Sequence, residues 1–336
     1  MFYPSEQFTS SFKALAIACG AVIALSGCGR MTRDVKLTPD PAATVDQLWQ
    51  EPKDLEQRDL FHGPGGKELL PKDTTFEFVA ADATGWSPGF DVRDSNGVEW
   101  SVKLGPEAQV EVVVSRILWA IGFHQPPTYH VNEWSLKGQV SGPQEAGRFR
   151  PEIKGREVAG DWSWYKNPFV GRREYGGLMV ANMIVNNWDW KTSNNKIYQL
   201  DAPVDGVNRM FVVRDVGASL GRTKYPTLLK WFRLRGFGQG TRNDIEGFES
   251  QGFITDVDSE QRPKFDYRGI YRDVIRTVRL EDVAWTCALM SRLSDQQWRD
   301  AFRAGGYSPE QADRFVKKIK AKIAQGLEVA DRRSTS

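Results

Sequence analysis

The sequence predicts an α+β chain folded as two lobes, a small β-rich lobe with one helix and then a larger, mainly helical lobe. Three observations carry that expectation. Short strand-like segments bounded by turn residues crowd the stretch from residue 73 to about 130, one helical periodicity runs through them from Val110 to Ile121, and from about residue 270 the pattern is helical. The chain has 336 residues, with 40% hydrophobic and 26% charged, which argues against extensive disorder and against a multi-span membrane protein. Lysine plus arginine (45) nearly cancels aspartate plus glutamate (43), so no global field draws the chain to nucleic acid, and no nucleic-acid partner is expected. Three histidines, at 62, 124 and 130, leave little room for His-rich metal chemistry, and neither HExxH nor a Cys/His zinc spacing occurs. Twelve tryptophans promise a large buried aromatic surface.

Residues 1–27 read as a lipoprotein signal peptide. A polar start ending at Lys13 precedes the apolar run Ala14 to Leu25, which is too short for a permanent span but has the length of a signal-peptide core. Leu25-Ser26-Gly27-Cys28 resembles a bacterial lipobox, which implies a lipidated Cys28 as the first mature residue, the membrane as partner, and an extracytoplasmic place in the cell envelope. A plain secretory signal with an incidental cysteine is the alternative. Cys19 leaves with the signal and Cys28 is acylated, so Cys287 is left alone in the apolar pattern Val283 to Met290. No internal disulfide follows, and Cys287 reads as a small buried hydrophobe with no neighbouring base.

Residues 28–72 form a tether and docking segment, polar and dotted with proline, in which Leu48-Trp49 and Leu60-Phe61 dock on the domain. The N-terminal lobe spans 73–155. Thr75–Ala80, Phe90–Arg93 and Val98–Leu104 are strands, the last two joined by the hairpin turn Asp94-Ser95-Asn96-Gly97. Alternation puts Val98, Trp100, Val102 and Leu104 on one face and Glu99, Ser101 and Lys103 on the other. Val110, Val113, Val114, Ile117, Leu118 and Ile121 make a helix stopped by Gly122, with Glu111 at the border of its buried stripe. A strand at Thr128–Val131 precedes an irregular Gly-rich stretch to about residue 160. The C-terminal lobe spans 156–330: a central buried helix at Gly177–Val185, a hairpin of Lys196–Leu200 with Arg209–Asp215, and helices from about residue 270.

Three segments stand in an order that phosphoryl transfer requires: Val102-Lys103, Asp189-Trp-Lys191-Thr-Ser-Asn194, and Asp215-Val-Gly217. Such transfer needs a cation on the phosphates, a carboxylate that orients the acceptor, and oxygen ligands for magnesium. Asp-x-Lys-x-x-Asn resembles the serine/threonine-kinase catalytic loop and Asp-Val-Gly the magnesium-binding Asp-Phe-Gly. The stretch from Glu111 through Gly122 to Pro126-Pro127 is similar to the helix region of the HipA-type branch of the protein-kinase-like superfamily. The resemblance covers roughly residues 74 to 300 and implies a two-lobed protein-kinase-like fold. It also implies ATP held at Lys103 with Glu111 as ion-pair partner, Asp189 orienting the acceptor hydroxyl, Lys191 neutralising the moving phosphoryl group, and Asn194 and Asp215 ligating magnesium. Asn187-Trp188-Asp189 replaces His-Arg-Asp, no GxGxxG precedes Lys103, and no Ala-Pro-Glu follows Asp215. Gly85-Trp-Ser-Pro-Gly89 is the one glycine-bearing candidate for a phosphate lid.

An atypical kinase acting on an unidentified hydroxyl and a non-catalytic scaffold lipoprotein on a degenerate kinase fold both fit this pattern. Gly217-Ala-Ser219-Leu-Gly221 matches the nucleophile elbow of α/β-hydrolases, yet all three histidines precede Ser219, where that fold needs one after it. Paired carboxylates for glycoside hydrolysis explain neither Lys103 nor the Asp/Asn spacing. From Arg222 to Arg242 six basic residues and no acidic one follow Asp215, either a face for an acidic acceptor or lipid, or a solvated loop.

Overall fold

The computed structural model describes residues 43–82, 87–223, 240–267 and 271–334, with side chains to residue 332. All of these belong to one compact unit, 37–225 with 239–336. The signal peptide, Cys28, the first part of the tether, Gly85-Trp86 and the basic residues Lys224, Lys230, Arg233 and Arg235 lie outside the described residues. Among the described residues no helix is long and apolar enough to cross a membrane.

The small lobe is a seven-stranded sheet with one helix. Its strands are β1 (Thr75–Asp82), β2 (Gly89–Arg93), β3 (Glu99–Leu104), β4 (Tyr129–Val131), β5 (Trp134–Lys137), β6 (Gly142–Gln144) and β7 (Gly147–Pro151), in the order β4-β7-β3-β2-β1-β5-β6. The β2–β3 turn forms because the Asp94 carboxylate accepts from the Asn96 and Val98 amides at 2.9 Å while Gly97 takes φ +82°. The alternation expected for β3 holds from Glu99 to Leu104, whereas Val98, expected on the buried face, precedes the strand at the hairpin turn and is exposed. Trp100, Val102 and Leu104 are buried with Phe76, Val92, Trp134 and Phe149, while the opposite face carries Glu99, Ser101 and Lys103.

Between β3 and the helix α1 (Pro106–Ala120) the chain reverses through Gly105 at φ +77°, a conformation that a side chain would strain, and Pro106 then presets the first helical turn. Helix α1 is buried nearly all round, Glu111 included at 1% exposure, because the docking segment and a helix of the large lobe cover the faces that the sheet does not. Glu111 therefore lies inside the packed region, where a place at the edge of the buried stripe was expected.

The stretch expected to be irregular up to residue 160 contains four strands, β5, β6, β7 and β8 (Arg156–Asp161). They are short, and β6 and β7 begin at glycines, so the period-two signal is too brief to read. A Cβ at Gly147 would lie 3.0 Å from Val102 Cγ1, so glycine lets β7 close onto β3.

In the large lobe α2 (Arg173–Ile184) is buried as expected. A second sheet, in the order β10-β9-β8, holds the hairpin β9 (Asn195–Val204) and β10 (Val207–Val213). Its arms run further than expected, to a two-residue turn at Asp205-Gly206 with both φ positive, and β10 stops short of Asp215. The rest comprises α3 (Ile245–Ser250), the small hairpin β11 (Ile254–Val257) and β12 (Pro263–Phe265), then α4 (Arg272–Ile275), α5 (Leu280–Ser291), α6 (Asp295–Ala304) and α7 (Pro309–Ser334). Cys287 in α5 is fully buried, and burial pushes its thiol up to about 12, as befits a core hydrophobe.

The docking segment does what its apolar pairs predict. Leu48, Leu55 and Leu60 are buried, and Trp49 bridges Phe123, donates its indole N–H to the Ile121 carbonyl at 2.7 Å, and meets Trp285 of α5 edge-on at 5.1 Å. Trp49 thus ties the end of α1 to the large lobe. Replacing Trp49 with alanine is expected to cost about 3–5 kcal/mol, read as a lower midpoint in urea with an unchanged slope, whereas phenylalanine should recover part of it. A midpoint unchanged in the alanine variant would show that the segment only lies on the surface.

Candidate active site

Lys103 meets three carboxylates. Its Nζ lies 2.8 Å from Glu111 Oε2, 2.9 Å from Asp215 Oδ1 and 3.4 Å from Glu107 Oε2. Local geometry brings them together: the turn at Gly105 folds the first two turns of α1 back over the end of β3, so Glu107 and Glu111, one turn apart, both face the lysine. Strand β7 pairs Arg148 with Lys103 and Arg150 with Ser101, which points both arginines to the same side. Arg148 Nε and Arg150 Nη1 lie 2.9 and 3.3 Å from Glu111 Oε1, so one buried carboxylate is shared by three cations. The closest of these approaches, from Lys103 and Arg148, are contacts of charge more than aligned hydrogen bonds.

These contacts set the ionisation. Burial alone would lower Lys103, but Glu111, Asp215 and Glu107 outweigh it and hold the ammonium above its ordinary value. Burial would likewise raise Glu111, yet Arg148 and Lys103 keep its carboxyl below the usual range. Asp215 is opposed by burial and favoured by Lys103, then by Arg148 and Arg150, and is held at about 2. It is also the accessible member of the group, with 39% of its side chain exposed.

The loop after α2 is held by asparagines. Asn182 donates to the Leu178 carbonyl, Asn187 donates to Asn182 Oδ1 at 2.8 Å, and Asn187 Oδ1 accepts from the Asp189 amide. Asn194 Nδ2 donates to the Asp189 carbonyl at 2.7 Å and closes the loop on itself. The Asp189 carboxylate, 18% exposed, pairs with Lys191 Nζ at 2.9 Å, while Lys191 is 61% exposed. Asp189 and Lys191 thus pair with each other. Asn194 reaches Asp215 through the backbone, since the amides of Arg214 and Asp215 both donate to the Asn194 carbonyl at 2.9 and 3.2 Å. Gly217 follows without a side chain because a Cβ there would lie 2.8 Å from that of Glu107.

Sequence reasoning paired Lys103 with Glu111 but missed the other charges around them. Glu107 was visible one turn before Glu111; Arg148 and Arg150 were hidden in a stretch taken for irregular, although Arg-Phe-Arg is itself a strand alternation. Arg242 pairs with Glu107 and lies over the Trp188 ring at 5.0 Å, so the end of the basic run reaches the site. Ser219 of the elbow-like motif is fully buried, and the Leu220 amide donates to the Val185 carbonyl. Buried in this way, that serine is not presented to a substrate as a nucleophile must be.

Beside the lysine cluster lies a cavity of about 890 Å³ bordered by Asp91, Ser101, Arg150, Ile153, Tyr198 and Arg214. Lys103, Glu111 and Asp215 do not line the cavity but adjoin its wall, where Ser101 stands two residues before Lys103 on the same face of β3, Arg150 reaches Glu111, and Arg214 precedes Asp215. The meeting of a strand's lysine, the following helix's glutamate and an Asp-x-Gly is the arrangement expected of a two-lobed kinase-like fold.

No family model matches the chain, and no curated protein matches it. Among solved structures, the chain is similar to a Helicobacter pylori proinflammatory kinase, CtkA, with a TM-score of 0.43 and 11% identity over 77% of this chain and 97% of that one. It is also similar to the golgi casein kinase, with a TM-score of 0.33 and 9% identity over 76% of this chain and 71% of that one.

Glu111→Gln leaves buried cations without their shared counter-charge and is expected to cost about 3–5 kcal/mol in urea unfolding at neutral pH. Glu111 and Asp215 are held below their unfolded values, so the stabilisation they confer is complete above roughly pH 4–5 and is lost as pH falls through the folded values. The variant should therefore show a shallower acid limb than wild type. Equal midpoints at pH 7 and equal acid limbs would mean that Glu111 does not neutralise the cluster.

Proposed function

We propose that the chain is an extracytoplasmic, lipid-anchored atypical kinase that transfers a phosphoryl group from ATP to a hydroxyl acceptor. The observation that carries this reading is the sharing of Lys103 between Glu111 and Asp215 at 2.8 and 2.9 Å, beside a cavity of nucleotide size. A buried ion pair is weak evidence for stability, so a cluster of this kind points to chemistry.

Roles follow from the side chains. Lys103 binds the phosphates. Asp189 orients the acceptor hydroxyl and takes its proton as the acceptor oxygen bonds to phosphorus. The bond from that phosphorus to the bridging oxygen breaks, and its electron pair leaves with ADP. Lys191, the most exposed of these groups, neutralises the phosphoryl group in transit.

The residues present fit a magnesium ion. Asn194 commits its Nδ2 to the Asp189 carbonyl, which leaves the oxygen end of the amide, and Asp215 commits Oδ1 to Lys103, which leaves Oδ2. Asn194 and Asp215 would hold the ion, whose chemistry is to offset the charge of the transferring phosphate. Among the described residues no cluster of three or more His, Cys, Asp or Glu side chains is gathered for a metal. This suits an ion that keeps waters and substrate oxygens in its shell.

Millimolar ATP with magnesium is expected to raise the melting temperature of wild type, with a stabilisation of about 2.7 kcal/mol at a hundredfold excess over Kd. Asp215→Asn should abolish that shift and, because it removes the carboxylate that Lys103 holds ionised, should also lower the nucleotide-free melting temperature, and Asp189→Asn should bind but not incorporate labelled phosphate. Absence of any nucleotide shift in wild type, with magnesium or manganese, would replace this reading with that of a scaffold lipoprotein.

The anchoring part of the proposal rests on the run from Ala14 to Cys28. Cys28→Ser should leave the protein unprocessed or release it from the membrane fraction. A mature wild-type chain that begins elsewhere than Cys28 and fractionates as soluble would end that part of the reading.

A further inference from the structure

The two ends of the cleft differ in chemistry. Strand β3 presents Lys103, Ser101 and Glu99 on one face, so Ser101 and Glu99 lie about 7 and 13 Å from the lysine along a strand rising about 3.3–3.4 Å per residue. Pairing adds Asp91 of β2 on one side of Ser101 and Arg150 of β7 on the other. The ceiling over the outer part of the cleft is thus a row of Asp91, Ser101 and Arg150, with Asp82 and Glu99 also on the cavity wall.

A nucleotide whose phosphates meet Lys103 places its base under this row. Flat bases are held by apolar surface on their faces, and the negative face of an aromatic ring is repelled by a carboxylate. The apolar residues of the same strands cannot serve, because Val92, Trp100 and Val102 point into the core of the lobe. Apolar contact is left to the rim and the other walls, where prolines (Pro126, Pro127, Pro151) join Val98, Ile153, Val158 and Tyr198. Burial first, then Asp82 and Glu99, raises the Asp91 carboxyl, while Arg150 opposes the shift.

We propose that the cleft recognises its phosphate donor through the polyphosphate end alone and is indifferent to the base. This deepens the kinase reading and rests on it. The donor class is any magnesium-bound polyphosphate, including purine and pyrimidine nucleoside triphosphates and inorganic tripolyphosphate.

The test is a titration of the full chain in detergent, with magnesium, by ATP, GTP, CTP and inorganic tripolyphosphate. Dissociation constants within about fivefold of one another, a spread of about 1 kcal/mol, are expected. The double variant Asp91→Val, Ser101→Ala rebuilds an apolar ceiling. It should tighten ATP by more than about fivefold while leaving tripolyphosphate unchanged. A wild-type preference for ATP beyond fivefold over the other three overturns this inference and leaves the kinase reading standing. So does a folded double variant whose ratio of ATP to tripolyphosphate affinity has not moved. If none of the four binds to wild type, the kinase reading fails and this inference fails with it.

Discussion

A lysine ammonium drawn into the junction of a sheet and a helix stays charged only if carboxylates come with it, and the placing of these carboxylates organises much of the molecule. Glu111 reaches Lys103 because Gly105 takes a left-handed conformation and turns α1 back over β3. Glu111 in turn tolerates 1% exposure only because Arg148 and Arg150, delivered by the register of β7, share its charge. Asp215 arrives from the other lobe, past the end of a hairpin whose first strand begins beside Asn194. The partners come from helix α1, strand β7 and the segment after β10, so the cluster holds only when the sheet, helix and hairpin are all in place.

The large lobe supplies a second constraint, the fixed loop from Asn186 to Asn194. Its base is clamped by Lys322 of α7, which donates to the Ile184 carbonyl at 2.9 Å and to Asn186 Oδ1 at 2.7 Å and lies over the Phe248 ring. Burial, reinforced by the nearby Lys318 charge and only partly opposed by Asp266, pulls this lysine well below its ordinary range, so it serves as a buried donor more than as a free charge. Its carbonyl partner is at the end of α2, where helix carbonyls lack intrahelical partners. Trp188 and Trp190 add indole N–H bonds to the Thr241 and Asn187 carbonyls. Asp189 thus stands on a loop whose backbone is held on several sides, while among the described residues its carboxylate pairs with the ammonium of the long, exposed Lys191.

How far these features were legible depends on the range of the interaction behind each one. Features set by near neighbours read well: the Asp94 to Gly97 turn, the alternation of β3, the helix from Pro106, the burial of α2, and the docking of Leu48-Trp49. The contact of Lys103 with Glu111 was also legible, because eight residues and one glycine turn separate them. The arginines on Glu111 were not, because they depend on β7 pairing with β3 across a long sequence gap. Strands of three and five residues starting at glycine, as β6 and β7 are, carry too few alternations to announce themselves. The meeting of Arg242 with Glu107 is likewise tertiary and has no local signal. Asn194 and Asp215 were expected side by side at the foot of the hairpin, and the backbone bonds from Arg214 and Asp215 to Asn194 are what place them there.

The exposure of the three carboxylates decides which of them can change partner. Glu111 and Glu107 are buried, at 1% and 8% of their side chains, and each is also engaged by an arginine. Asp215 is 39% exposed and touches Lys103 through one oxygen. A polyphosphate approaching Lys103 finds a cation whose charge is already answered, so it gains little unless one carboxylate turns away. Only Asp215 can do so without leaving a buried arginine unpaired. On the kinase reading, a divalent ion held by Asp215 would supply the positive charge that Lys103 gives up when it turns to the phosphate oxygens, so that charge would stay in balance. A dependence on magnesium would then, on the same reading, be a property of the lysine cluster itself, because without the metal the first exchange would strand a carboxylate among phosphates.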